Sequence, residues 1–150
     1  MRVLILLVAL APDLLLGTKA ASCLDGWISY RSHCYFVGYE LRLPFSTAQI
    51  YCRINGAYLT RLDTYSEYFF LKKLLKRTRA YSAWTSLSDQ RYEGIWLWHG
   101  TNELATFSDW APGNPNNDKN EDCMGFYHRH GYMWNDFPCT VKLIPICERS

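Results

Sequence analysis

The sequence predicts a small α+β domain that is stabilised by disulfide bonds. Two capping signatures, Ser46 with Gln49 and Thr64 with Glu67, each predict the first turn of a helix in the first half of the chain. Short runs of aromatic and aliphatic residues predict strands in the second half. The six cysteines, an even number, indicate three disulfides in an exported chain.

The first 20 residues have the pattern of a secretory signal peptide. A basic start at Arg2 precedes the mostly apolar residues 3–16, and small residues around Ala20 suit cleavage. A membrane anchor is the alternative, but Pro12 and Asp13 interrupt a segment that is shorter than the roughly 20 apolar residues a span needs. No second apolar run follows, so we expect a secreted, extracellular protein without a membrane span.

Length and charge limit the classes of partner. Residues 21–150 suit a single domain of ordinary size. The full chain has 16 basic and 14 acidic residues. The predicted signal peptide contains two of the basic and one of the acidic residues, so residues 21–150 carry a net charge of +1. A nearly neutral domain gives no reason to expect a nucleic-acid partner.

The second predicted helix has an apolar face and a basic face. The apolar members are Phe70, Leu71, Leu74 and Leu75, and the basic members are Lys72, Lys73, Lys76 and Arg77. We interpret the basic face as an ordinary solvated helix surface. The alternative is a patch for sulfated or phosphorylated glycans.

The predicted strands follow this helix. They cover residues 83–87, 95–98, 124–127, 132–134 and 141–147. Residues 105–120 have no periodicity and are rich in Asn, Asp, Pro and Gly. A loop of that length in a compact domain is usually functional or disordered.

Five oxygen-bearing side chains lie in or just after this loop. They are Asn114, Asn116, Glu121, Asn135 and Asp136. Calcium takes six to eight carboxylate, amide, backbone and water oxygens in a tolerant geometry, whereas zinc prefers Cys and His. The alternative is that Asn, Asp and Pro only form turns. The acids lie next to Cys123 and shortly before Cys139, and this arrangement favours a calcium site.

The same residues carry a resemblance to the C-type lectin-like domain family. Its carbohydrate-recognition form resembles the runs 114–116, Asn-Pro-Asn, then 121–123, Glu-Asp-Cys, then 134–136, Trp-Asn-Asp. Supporting runs are 84–87, 95–98 and 107–110. Together with the positions of the cysteines, these runs extend the resemblance from Cys23 to Cys147. The run 93–98 is similar to that of molluscan perlucin-like lectins. The family implies two helices and antiparallel sheets with a long calcium-binding loop.

The resemblance also implies a disulfide pairing, although six cysteines alone allow 15. The implied pairs are Cys23 with Cys34, Cys52 with Cys147, and Cys123 with Cys139. Every cysteine is then used, so we expect any homo-oligomer to be noncovalent.

By resemblance, the five ligands of the calcium ion, Asn114, Asn116, Glu121, Asn135 and Asp136, also bind the sugar. A cis peptide bond before Pro115 is typical of this loop, and cis bonds are largely confined to X-Pro steps.

A second, auxiliary calcium site is implied at Asp89, Glu93, Asn117 and Asp122, with Glu121 shared. The alternative that these are ordinary turn and surface acids stays open.

Asn114 departs from the family pattern, which has Glu or Gln there. Only Glu121 and Asp136 are then carboxylates in the main site, where the mannose-type and galactose-type motifs have three. Affinity in oxygen sites follows ligand charge, so we expect binding to require millimolar calcium. The choice between mannose-type and galactose-type sugars stays open.

These observations predict a secreted calcium-dependent lectin that recognises surface glycans in innate immunity. The alternative is a C-type lectin-like interaction or matrix (biomineral) protein that binds no sugar. We expect no enzyme, because the sequence has no nucleophile elbow, phosphate loop or free cysteine. We interpret His128 and His130 as inert loop residues, and most of the tryptophans as core residues.

Overall fold

The computed structural model describes residues 23–150 and confirms an α+β fold. The predicted signal peptide, residues 1–20, lies outside the described residues. The helices are α1, Phe45–Ile54, and α2, Tyr65–Thr78. The strands are β1 Ile28–Tyr30, β2 His33–Val37, β3 Tyr58–Leu59, β4 Ala83–Ser88, β5 Leu97–Trp98, β6 Cys123–Tyr127, β7 Met133–Phe137 and β8 Ile144–Arg149.

The strands form one sheet in the order β1-β2-β8-β4-β6-β7, in which β3 also pairs with β8 and β5 with β4. All pairs are antiparallel except β4 with β8. The β6–β7 pair aligns Met124 with Asp136 and Gly125 with Asn135. This pairing places two predicted ligands on a regular strand in the part of the sheet next to the long loop.

Helix α1 begins two residues before the position that its capping signature predicts. The N-cap is Pro44, which makes no side-chain cap bond, and Ser46 lies inside the first turn. The prediction of a Ser46–Gln49 capping box is therefore wrong. Proline has a fixed φ suited to the residues that flank a helix start, and Phe45 is only 1% exposed. Packing of Phe45 thus decides where the helix begins.

Helix α2 begins where its signature predicts, because Thr64 is the N-cap and accepts a hydrogen bond from Glu67 N at 3.2 Å. The carboxylate of Glu67 does not return to Thr64 N. It accepts instead from Asp63 N at 2.9 Å and from the Tyr35 hydroxyl at 2.5 Å. The hydrogen bond from Glu67 N to Thr64 is thus the one bond of the capping box that forms, and the Glu67 side chain is buried in the core.

The two faces of α2 confirm the amphipathic prediction, with one exception. Leu71, Leu74 and Leu75 are buried, whereas the basic residues other than Lys72 are exposed. Lys72 donates to Asp109 Oδ2 at 2.7 Å. It therefore ties the helix to the start of the long loop.

The strand predictions are right in number for the second half but not in their bounds. Strand β5 is shorter than predicted, β7 extends to Phe137, and β8 begins only at Ile144. The extension of β7 matters most, because it puts Asn135 and Asp136 inside a strand.

All three predicted disulfides are present: Cys23–Cys34, Cys52–Cys147 and Cys123–Cys139. The second joins α1 to β8 inside a core that includes Phe45, Leu59 and Trp84. Under α2, a second core cluster contains Tyr68, Phe126 and Trp134. The two clusters lie under the two helices and support the sheet from which the long loop emerges.

Candidate functional site

The long loop is fixed to β7 by backbone hydrogen bonds. Trp134 N donates to Asp109 O at 2.9 Å, and Ala111 N donates to Trp134 O at 2.8 Å. Trp110 and Trp134 pack edge to face with centroids 5.6 Å apart. The loop therefore reaches Asn114 directly beside the strand that carries Asn135.

Asn114 and Asn135 are hydrogen-bonded to each other. Asn114 Nδ2 donates to Asn135 Oδ1 at 2.7 Å, and Asn135 Nδ2 donates to the Asp136 carbonyl at 2.5 Å. The peptide bond between Asn114 and Pro115 is cis, as the resemblance predicts. The structure therefore brings these two predicted ligands together, but the amide of one occupies the oxygen of the other.

Asp136 holds the next turn of the loop. The residue is 0% exposed, and its Oδ2 accepts from Asn116 N at 2.8 Å and Asn117 N at 2.7 Å. Its Oδ1 is buried without a hydrogen-bond partner. One carboxylate oxygen thus shapes the loop, while the other is unsatisfied.

Asn117 links the main and auxiliary sets of predicted ligands. Its Nδ2 donates to Glu93 Oε1 at 2.9 Å, and its Oδ1 accepts from Glu121 N at 2.8 Å. Its φ of 49° lies in the left-handed region, which Asn adopts more readily than most residues. The two predicted sites are therefore parts of one connected loop.

Asp89 and Asp122, both predicted auxiliary ligands, each contain a buried Oδ1 with no hydrogen-bond partner. The other oxygens are engaged: Asp89 Oδ2 accepts from Gly94 N at 2.9 Å, and Asp122 Oδ2 accepts from Asn120 Nδ2 at 3.1 Å. The backbones also meet, since Asp89 N donates to Asp122 O at 3.1 Å. Asp89 is buried and Asp122 is half-buried, and hydrogen bonds hold both acids in place.

Burial and neighbouring charges raise the pKa values of two of these carboxylates, Glu121 and Asp89. Burial, followed by the nearby charge of Asp136, raises the pKa of Glu121 to about 7. Burial also raises the pKa of Asp89, and the charges of Asp122 and Asp136 add to the effect, although the bond from Gly94 N opposes it. Clustered carboxylates with raised pKa values mark a place where a cation would be stabilised.

The carboxylate and amide oxygens of this loop are the donor types that suit a hard cation, but within the described residues no three of its acid ligand atoms lie within 4.8 Å of one another. Six buried side-chain polar atoms in residues 23–150 have no hydrogen-bond partner, and three of them are the oxygens of Asp89, Asp122 and Asp136. An unsatisfied buried carboxylate oxygen costs on the order of 1–3 kcal/mol or more. Calcium would satisfy such oxygens, and amide oxygens would complete its shell.

A second cluster of titratable groups, which the sequence did not reveal, joins His33, Glu67 and Glu148. In residues 23–150 it is the one group of three acid or imidazole ligand atoms within 4.8 Å of one another. Glu148 is 0% exposed and accepts from Tyr58 Oη at 2.9 Å and from Thr60 Oγ1 at 2.8 Å. Because these carboxylate oxygens are satisfied by hydrogen bonds, we interpret the cluster as a structural network between β2, α2 and β8.

An aromatic cavity of about 590 Å³ lies beside the long loop. It is lined by Trp96, Trp110 and Trp134, and by Gly94, which follows the predicted ligand Glu93. The prediction that most tryptophans lie in the core is confirmed for Trp84, Trp98 and Trp134, whereas Trp96 and Trp110 are only partly buried.

Comparison with known proteins identifies the family of the domain. The chain matches the family model described as the lectin C-type domain over residues 41–149. A perlucin-like protein of Mytilus galloprovincialis is 30% identical over 126 residues, covering 83% of this chain and 80% of that protein. A type-2 ice-structuring protein of Osmerus mordax is 29% identical over 133 residues, covering 89% of this chain and 74% of that protein.

The fold matches solved structures as well. The carbohydrate-recognition domain of the mouse scavenger receptor C-type lectin superimposes with a TM-score of 0.77 at 28% identity, covering 85% of this chain and 96% of that domain. Within residues 23–150, no helix has the length and apolar composition needed to cross a bilayer. The matched family consists of lectin domains and is not an enzyme family. The chain therefore belongs to the C-type lectin domain family.

Proposed function

We propose that this protein is a secreted, calcium-dependent lectin that binds surface glycans in innate immunity. The observation that carries the proposal is the set of three buried, unpartnered carboxylate oxygens of Asp89, Asp122 and Asp136. Folding without a cation leaves each of them unsatisfied at a cost. A calcium-binding role gives these oxygens a partner.

The ligand sets we propose are those that the sequence predicts. The main set, which also binds the sugar, is Asn114, Asn116, Glu121, Asn135 and Asp136. The auxiliary set is Asp89, Glu93, Asn117 and Asp122, with Glu121 shared. The bonds of Asn117 to both Glu93 and Glu121 support a coupling between the two sets.

Bound calcium would accept the oxygen lone pairs of two neighbouring sugar hydroxyls. The side chains then decide which hydroxyls fit. Glu121 can accept a hydroxyl hydrogen and the Asn135 amide can donate to a hydroxyl oxygen, which makes one complete pair. Asn114 and Asn116 offer two amides, so the second hydroxyl meets donors and no carboxylate acceptor. The arrangement of donors and acceptors therefore differs from that of both the mannose-type and the galactose-type motif.

Calcium affinity should be low, for two reasons. The main set contains only two carboxylates, and the Asn135 oxygen already accepts from Asn114 Nδ2 at 2.7 Å. Releasing that oxygen costs about 1 kcal/mol, the net worth of a typical hydrogen bond. We propose binding in the range of about 0.1–1 mM, which is typical of extracellular modules.

Export and multivalency complete the proposal. The predicted signal peptide and three disulfides support secretion, because disulfides persist in oxidising compartments. A shallow site for a single sugar binds weakly, so recognition of microbial or self surfaces would rely on dense glycans or on a noncovalent oligomer.

A second candidate function is a C-type lectin-like interaction or matrix protein that binds protein, mineral or ice through the same loop. The observation that favours it is the Asn114–Asn135 hydrogen bond, which occupies a predicted ligand oxygen. The similarity to a protein described as ice-structuring is consistent with it.

A glycan array with residues 21–150, run in 5 mM calcium and repeated in EDTA, tests the proposal. The variant Asp136→Asn removes one predicted ligand charge. Its matched control, Asp118→Asn, removes the same charge from an exposed position of the same loop that is not a predicted ligand. Signals that disappear in EDTA and in the Asp136 variant, but persist in the control, would support the lectin. A blank array from a protein that calcium still stabilises would favour the second candidate.

A further inference from the structure

A basic cavity of about 300 Å³ lies on the other face of the β6–β7 pair from Asp136. Its lining includes Tyr81, Ser82, His128, Arg129, Phe137 and Lys142. Consecutive residues of a strand point to opposite faces, so Phe137 and Asp136 face opposite sides of β7. The cavity is therefore separate from the candidate calcium site.

All the fully charged side chains that line this cavity are cations. No Asp or Glu is among the lining residues, and Arg129 and Lys142 are both exposed. The ion pairs of residues 23–150 involve other cations, so none offsets these two charges. A third cation, Arg42, lies over the Tyr81 ring with its guanidinium carbon 4.8 Å from the ring centroid.

The polar floor of the cavity is a fixed pair formed by Ser82 and His128. Ser82 Oγ accepts from His128 N at 3.2 Å and lies 2.8 Å from His128 Nδ1. A hydroxyl that donates to Nδ1 leaves the imidazole hydrogen on Nε2, where it is a donor. Burial, with a smaller effect from the charge of Arg129, lowers the pKa of His128 and so favours the neutral ring. The floor thus adds a neutral donor to a basic rim.

Aromatic rings form the walls. The rings of Tyr81 and His128 lie 4.7 Å apart, and those of Tyr127 and Phe137 lie 5.4 Å apart. Flat apolar faces suit the carbon–hydrogen face of a sugar ring, and the cations suit an anionic group on that sugar. A concave cavity lined by aromatic rings suits a saccharide better than it suits the flat surface of a membrane.

The charge distribution of the chain supports a specific anion site over general basicity. The full chain has a formal net charge of only +2. Eight of its 14 acidic residues lie between Asp89 and Asp136, on the side of the candidate calcium site. The carboxyl end of α2 adds the exposed cations Lys76, Arg77 and Arg79, two residues before Tyr81. The basic cavity therefore lies in a locally positive field that would attract anions.

We propose that this cavity binds an anionic saccharide through a sulfate or phosphate ester, independently of calcium. Arg129 and Lys142 contact the ester, His128 Nε2 donates to it, and Tyr81 and Phe137 line the space that the sugar occupies. The domain would then have two binding faces, one for neutral sugars with calcium and one for charged sugars without it.

Binding is measured in EDTA, so that the result does not depend on the candidate calcium site. The probes are a heparin-derived octasaccharide, the same octasaccharide after desulfation, mannose 6-phosphate, and phosphatidylserine vesicles. The test variant is Arg129→Ala with Lys142→Ala. The matched control, Arg53→Ala with Lys73→Ala, removes two exposed charges that do not line the cavity.

We expect the test variant to bind the sulfated or the phosphorylated probe at least tenfold more weakly, and the control to change less than twofold. Weaker binding of the heparin octasaccharide would identify a sulfate ester as the ligand group, and weaker binding of mannose 6-phosphate would identify a phosphate ester. The desulfated octasaccharide should not bind. A charge-preserving variant, Arg129→Lys with Lys142→Arg, should retain most of the binding and shows that loss reflects charge and not misfolding. Equal losses in test and control variants, or binding to vesicles alone, would overturn the proposal.

Discussion

Replacing Asn114 with Glu should tighten calcium binding and at the same time destabilise the calcium-free protein. Asn114 Nδ2 now donates to Asn135 Oδ1 at 2.7 Å, so the amide competes with a cation for that oxygen. Glutamate has no such donor, and it adds a third carboxylate to the main ligand set. Both changes favour the cation-bound state.

The magnitude follows from these two contributions. Loss of the competing hydrogen bond contributes about 1 kcal/mol. The added charge also repels its neighbours: at an effective dielectric of about 20 and a separation of about 8 Å, two charges repel by about 2 kcal/mol, which exposure reduces to about 1 kcal/mol. The attraction to a divalent ion exceeds this repulsion, so we expect a net gain of about 1.4–2.8 kcal/mol, or tenfold to a hundredfold in Kd.

The assay compares wild type, Asn114→Glu and Asn114→Gln by calcium titration and by thermal unfolding. Gln has the length of Glu but keeps an amide donor and adds no charge, so it controls for the effect of side-chain length alone. In EDTA, the Glu variant should unfold at a lower temperature than wild type, because it adds a carboxylate beside Glu121, whose pKa is already raised. In 10 mM calcium the order should reverse. An unchanged calcium affinity in the Glu variant, or an equal gain in the Gln variant, would refute this reasoning.

Three further predictions concern the scaffold. Burial raises the pKa of Glu67, so the protonated carboxyl stabilises the fold fully below about pH 4.5, and this stabilisation is lost as the pH rises through the pKa of the folded state. The thermal midpoint of Glu67→Gln should therefore rise relative to that of wild type between pH 4.5 and 8 in EDTA. A constant difference between the two midpoints would contradict this prediction. Replacing Cys123 and Cys139 by Ala opens a loop of 16 residues and should cost about 3 kcal/mol in urea unfolding, together with weaker calcium binding; an unchanged urea midpoint would argue against that role. Gly125→Ala places a Cβ 2.8 Å from Ala83 O, so it should lower the urea midpoint by the equivalent of about 2–3 kcal/mol, and a wild-type midpoint would show that the sheet can adjust.

Local signals in the sequence predict those features that depend on local physics. Thr64 caps α2 because a threonine oxygen can accept from the helix amide three residues later. The apolar spacing of the same helix matches its buried face, since 3.6 residues per turn align such positions. In both cases the residues that interact are near one another along the chain.

Features that depend on distant residues were not predictable from local patterns, and the Cys52–Cys147 disulfide was predicted only through the family resemblance. The start of α1 is decided by the burial of Phe45, which overrides the signature at Ser46. The His33–Glu148 contact joins residues 115 positions apart. No local pattern can reveal such a pairing, because the fold alone brings the two side chains together.

The candidate site was predictable from the sequence only in part. From the sequence, proximity to Cys123 and Cys139 indicates Glu121, Asn135 and Asp136 as predicted ligands. The hydrogen bond between Asn114 and Asn135 was not predictable, because side-chain direction on the strand and in the loop decides it.

The most direct test of the central claim is calcium titration by calorimetry on residues 21–150, comparing wild type, Asp136→Asn and Asp118→Asn. Asp136 is buried with an unpartnered oxygen, whereas Asp118 is exposed in the same loop. We predict a wild-type Kd of about 0.1–1 mM, a value within about threefold of it for the Asp118 variant, whose exposed charge acts on Glu121, and binding at least tenfold weaker for the Asp136 variant. Absence of calcium binding in the wild type, or equal affinities in all three proteins, would contradict a calcium site in this loop.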